Sequence, residues 1–149
     1  MLIREKINKL PTASYCAYVW SGAAVGTDGT VMPCCRWFGP HTRHDDGIPH
    51  IRDGLKSARE SNYFTNIRKQ MIAGKRPVGC KNCWKLEDAS LKEEDEGLKP
   101  VRGSLPRVQI DHRTGTRSTD TTPAKIRYLE TGISSLCNMA CIMCSERAS

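Results

Sequence analysis

A chain of 149 residues has room for one domain or slightly more, and an apolar share of 38% is lean for a well-cored one. No apolar run approaches the ~20 residues of a membrane span, so a membrane-spanning protein is not expected. The eight cysteines fall short of a dense disulfide scaffold; grouped as a CC pair, a C-x2-C and a C-x3-C-x2-C, they have metal spacings and suit a reducing cytosol.

The first fifteen residues are polar, and Pro11-Thr12-Ala13-Ser14 breaks any helix begun by Leu2, Ile3, Ile7 and Leu10. Arg4, Lys6 and Lys9 followed by Ala17 to Val25 mimic a secretory leader. That apolar stretch is short, is broken by Ser21 and Gly22, and adjoins a candidate ligand, Cys16, so it reads as mature protein. Strand formers fill Tyr15 to Val25 and Thr30 to Met32, around Thr27-Asp28-Gly29. Asp-Gly between two strands is a strong hairpin signal, and the hairpin would set Cys16 near Cys34, which follows Pro33. Such a pair can share one metal.

Arg36 to Ile51 reads as a loop. Its His41, His44 and His50 lack the spacing of a zinc motif and are expected to be solvated. Residues 53–73 read as helix in two pieces, with Asp53 and Ser61 as N-caps and Gly74 then Pro77 ending the second. Phe64, Ile67 and Met71 recur at helical spacing and form a core stripe. Cys80-Lys81-Asn82-Cys83 then offers two sulfurs to one metal. With the hairpin pair this makes Cys16, Cys34, Cys80 and Cys83, four thiolates, with Cys35 as the alternate. Trp84 would shield the site or join the core. A further helix runs through Leu86, Ala89 and Leu91 to a Gly97 cap, with Glu93-Glu94-Asp95-Glu96 as a solvated face.

From Lys99 to Lys125 the composition turns to Gly, Pro, Thr and Ser, the mark of a linker. Seven Lys or Arg against two acids between Lys99 and Arg127 make it basic, but no aromatic residue lies between Lys99 and Lys125 to stack on bases. Nucleic acid is therefore not the expected partner. The β-prone Ile126 to Gly132 then feeds Cys137, Cys141 and Cys144. Thiolates are soft ligands that hold iron–sulfur clusters, and three on one loop leave a fourth iron open for another ligand.

This strand and cysteine loop resemble the opening of the radical S-adenosylmethionine (SAM) superfamily. The upstream part resembles its SPASM or twitch auxiliary-cluster domains: Cys16, twelve residues, Gly29, four residues and Cys34 match their C-x9–15-G-x4-C pattern. The Gly-x4-Cys count names Cys34 over Cys35. The resemblance implies a 4Fe–4S cluster on Cys137, Cys141 and Cys144, with SAM bound to the fourth iron. It also implies reductive cleavage of SAM to a 5′-deoxyadenosyl radical that abstracts hydrogen from substrate. Met143 stands where many members have an aromatic residue. An auxiliary iron–sulfur cluster on Cys16, Cys34, Cys80 and Cys83 follows from the same resemblance. So do an electron donor such as a flavodoxin or ferredoxin, and a peptide, protein or small-molecule substrate. Thiolate-bound clusters would lower the formal charge from +7 to about +4, which weakens any argument from basicity.

The expected fold class is α+β. A twitch-like domain of hairpin and helices occupies 1–98, a basic linker 99–124, and the first strand and cluster loop of an incomplete radical SAM barrel 125–149. The chain then reads as the N-terminal portion of a longer cytoplasmic enzyme, with its last 25 residues poorly packed by themselves. The alternative is a non-catalytic zinc-binding module contacting nucleic acid through its basic stretch, since four thiolates also suit tetrahedral zinc.

Overall fold

The computed structural model describes residues 3–7, 10–39, 47–97 and 120–132. It is a small α+β fold in which helices pack around one three-stranded sheet. The helices are α1 (Ile3–Ile7), α2 (Tyr18–Ser21), α3 (Leu55–Glu60), α4 (Asn62–Ile72) and α5 (Lys81–Asp95). The strands are β1 (Gly22–Val25), β2 (Val31–Met32) and β3 (Tyr128–Thr131), in the order β2-β1-β3. No helix among the described residues is long and apolar enough to cross a membrane.

The hairpin forms at Asp28-Gly29, with Ala24 opposite Met32 and Val25 opposite Val31. Gly29 has φ +84°, which a side chain would strain, and an added Cβ would lie 2.4 Å from His50 Nε2. Asp28 closes the turn by accepting from Thr30 N–H and its hydroxyl. His50 is part of this corner. Its Nε2 lies 2.9 Å from Asp28 O, and its Nδ1 accepts from Arg52 N–H. The expectation of a solvated His50 is thus corrected to a structural one, while His41 and His44 lie outside the described residues.

The expected first strand is shorter than Tyr15 to Val25. Tyr18–Ser21 is a helical turn instead, despite its β-forming residues. Burial overrides propensity here: Val19 and Trp20 sink into the core, Trp20 stacks on Tyr15 at 4.7 Å, and Ser21 Oγ bonds Ala17 O. Asp53 does not cap a helix either. It ends a 3-10 turn, Ile51–Asp53, and Gly54 stands at the N-cap of α3. Ser61 does cap α4, accepting from Phe64 N–H, and α4 and α5 end before Gly74 and Gly97.

The core centres on Tyr15, Val19, Trp20, Ile67 and Met71, with Ala23, Val31, Ala58 and Phe64 beside it under the sheet. Two arginines are buried in it. Arg68, 0% exposed, donates to Val19 O, Arg59 O and Thr121 O. Arg59 donates to Trp20 O and Ala124 O. Burial first, and then the Arg59 charge, lower the Arg68 pKa to about 10.

These arginines hold the chain that leads into β3. Trp20 Nε1–H bonds Asp120 O, and Arg127 N–H bonds Ser21 O. β3 then lies parallel to β1, with Gly22 opposite Tyr128 and Val25 opposite Thr131. β1 supplies a free edge that satisfies the β3 backbone, while Leu129 and Thr131 stay exposed.

Candidate metal centre

Cys16 is 7% exposed and sits among Tyr15, Ala17 and Trp20, with its carbonyl accepting the Val19 N–H at the start of α2. Two hydroxyls, Thr12 Oγ1 and Ser14 Oγ, tie this corner to Met71 O at the end of α4. Cys34 follows β2 and Pro33, and Trp37 N–H closes a turn on its carbonyl at 3.1 Å. Cys80 ends the 3-10 turn Val78–Cys80 and Cys83 lies in the first turn of α5.

One tryptophan locks the last two pieces together. The Trp37 ring lies against Gly79, where an added Cβ would meet its Cζ2 at 2.4 Å. Its Nε1–H donates to Tyr63 Oη at 2.6 Å, and Phe38 N–H donates to Gly79 O at 2.7 Å. Cys34 and Cys80 therefore flank one backbone stitch. Trp84 is buried behind Cys83; its Nε1–H reaches Pro77 O, and Arg76 covers its face at 5.1 Å. Of the two roles expected for Trp84, core packing is the one observed.

Burial pushes the Cys34 thiol far above its ordinary 9.0, and the nearby Cys16, Cys83 and Cys35 push it further. Burial likewise raises the Tyr63 hydroxyl, with Cys80 adding to it. Cys16 belongs to one core cluster against which Cys34, Cys80 and Tyr63 pack, and Cys83 is half-buried in the first turn of α5. Among the described residues no three Cys, His, Asp or Glu side chains converge closely enough to hold a metal ion. The set fits a metal in donor chemistry. Ionising one of these thiols alone is costly, and a cationic centre among them offsets both burial and mutual repulsion.

Cys35 is separate. It is exposed, and burial, followed by its hydrogen bond to Glu130, raises its thiol pKa. Glu130 also accepts from Tyr128 Oη at 2.8 Å, and Tyr128 stacks on Tyr18 at 4.6 Å. Cys137, Cys141 and Cys144 lie outside the described residues. Sequence reading missed Trp37, Tyr63 and Glu130 as neighbours of the cysteines; the Gly79-Cys80 step was the one available sign of a close approach.

A pH dependence follows for the metal-free protein. The folded-state pKa of Cys34 is raised, so its stabilising effect is complete below about 9 and is lost as pH climbs beyond that. Thermal melts from pH 7 to about 10.5 should fall in Tm above pH 9. Cys34→Ser should flatten the fall.

No family model, curated protein or solved structure matches this chain.

Proposed function

We propose that the chain belongs to a cytoplasmic radical SAM enzyme that carries an auxiliary iron–sulfur cluster. The observation that carries this reading is that Cys16 lies in one core cluster against which Cys34 and Cys80 pack, with Cys83 in the first turn of the helix that follows. The three-cysteine loop at Cys137, Cys141 and Cys144 adds to it. Cys16, Cys34, Cys80 and Cys83 would hold the auxiliary cluster, and the three loop cysteines the SAM-binding one. Held by Cys137, Cys141 and Cys144, such a cluster would supply the one-electron chemistry for reductive SAM cleavage, used for hydrogen abstraction in peptide or protein modification.

The chain's own residues give this chemistry a frame. Trp37 is buried in the same core cluster as Cys16, against which Cys34 and Cys80 pack. Pairing of β3 with β1, secured by Arg59, Arg68 and Trp20, fixes the strand that precedes the loop. The SAM side is tested by changing Cys137, Cys141 or Cys144 to Ala in the reconstituted enzyme. Each change should abolish dithionite-driven formation of 5′-deoxyadenosine, leaving the auxiliary iron in place. Undiminished 5′-deoxyadenosine from all three variants would refute the assignment.

A further inference from the structure

The charges of α5 run against its own dipole. Its first half is basic, with exposed Lys81 and Lys85 and no acid in the first turn. Its far end carries Glu93, Glu94, Asp95 and Glu96 beside Lys92. A helix presents partial positive charge at its N-terminus and negative charge at its C-terminus, so each end of α5 opposes the residues it bears. Pairs within the chain offset part of this: Arg4 with Asp95, Lys92 with Glu96 at 3.8 Å, and Arg76 with Asp88 at 2.7 Å. Among the described residues neither Lys81 nor Lys85 makes an ion pair.

The basic end also bears apolar surface. Phe38 is 51% exposed and Val78 is 80% exposed. Phe38 N–H bonds the carbonyl of Gly79, the residue after Val78, and Lys81 Nζ sits 4.9 Å over the Phe38 ring. No acidic residue occurs from Pro33 to Gly39 or from Lys75 to Lys85. Midway along the helix, Leu86 and Ala89 are exposed. Lys81, Lys85, Ala89 and Glu96 share one solvent face, being exposed and set at helical spacing. One face of α5 thus runs from basic and apolar, through a small residue, to acidic.

We infer that two copies of this chain associate through α5, antiparallel about a twofold axis near Ala89, so that the Phe38–Lys81–Lys85 end of each meets the Glu93–Glu96 end of the other. The surface is self-complementary, as a twofold interface requires, because both kinds of end lie on the same helix. The 15 residues of α5 set the two ends about 22 Å apart, and an antiparallel pair joins both at once. A parallel pair would set lysine against lysine. Ala89 allows close approach at the axis, Leu86 and Phe38 supply apolar contact, and the charges fix the direction. The facing charges also oppose the dipole mismatch at each end. One helix face and its neighbouring turn bury less than the roughly 1,600 Å² of a standard interface, so the dimer is weak and reversible. The association does not depend on a bound metal.

Sedimentation velocity of the full chain from about 2 to about 200 μM, with the thiols kept reduced, reads the association. A monomer–dimer equilibrium is expected, weakened on the order of tenfold between about 0.05 and about 0.5 M salt. Lys81→Glu/Lys85→Glu and Glu93→Lys/Glu96→Lys should each be monomeric. Mixed in equal amounts, the two variants should form a heterodimer, because acidic ends again face basic ends at both contacts. Recovery on mixing also shows that neither variant had simply unfolded. Ala89→Arg, a bulky change at the exposed axis, should be monomeric with the wild-type circular dichroism spectrum. A wild-type protein that stays monomeric over the whole range overturns the inference. So does a dimer that survives both charge variants, or folded variants that stay apart when mixed. A monomer that binds a Glu-rich peptide through Lys81 and Lys85 also overturns it, and would assign the basic end to a different acidic partner.

Discussion

Cys34→Ala is expected to remove about four irons from the anaerobically prepared protein, whereas Cys35→Ala keeps them. The two thiols are adjacent in sequence but face different surroundings. Cys34 is packed against the core and is raised in pKa by burial and by the neighbouring Cys16 and Cys83. Cys35 is exposed and turned to Glu130 on β3. Loss of Cys34 takes away a donor packed against the core cluster of Cys16; loss of Cys35 removes one surface hydrogen bond. Cys83→Ala should behave like Cys34→Ala, and both should lower the melting temperature, because metal binding at such a site is coupled to folding. Iron and sulfide analysis of the purified variants reads the outcome. Full iron in Cys34→Ala with loss in Cys35→Ala would exchange the two assignments.

Arg68→Ala should cost about 3–5 kcal/mol, a large part of the stability of a domain this size. The side chain is wholly buried and its hydrogen bonds go to three backbone carbonyls from separate places, those of Val19, Arg59 and Thr121. Truncation leaves these carbonyls without their donor and opens a void between α4 and the 120–124 segment. Arg68→Met fills most of the void and removes a buried cation, so it should cost less than the alanine change. Urea unfolding with constant m-value measures both. An alanine variant within about 1 kcal/mol of wild type would show that the buried arginine is dispensable.

Local chemistry made much of this fold legible. Asp28-Gly29 marked the hairpin, Ser61 the start of α4, and Gly74 and Gly97 the helix ends, because each acts within a few residues of itself. What escaped was set by distant partners. Tyr18–Ser21 has strand-forming residues but coils, since Trp20 must reach both Tyr15 and the carbonyl of Asp120. Asp53 lost its capping place to Gly54 because His50 had already started a tighter turn.

The cysteines divide in the same way. Cys80-x2-Cys83 and the Cys16–Cys34 pairing were readable as spacing. The Trp37 ring against Gly79, and the escape of Cys35 to Glu130, needed contacts across 42 and 95 positions of chain. Nothing in the residues around Arg68 marks it for burial. Only its backbone partners explain its burial.

The most direct test of the central claim is the metal content and visible spectrum of the wild-type protein purified without oxygen. An auxiliary iron–sulfur cluster predicts a brown protein with broad visible absorption, acid-labile sulfide and at least about four irons per chain. A colourless protein carrying one tightly held zinc, taking up no iron on anaerobic reconstitution with iron and sulfide, would contradict it.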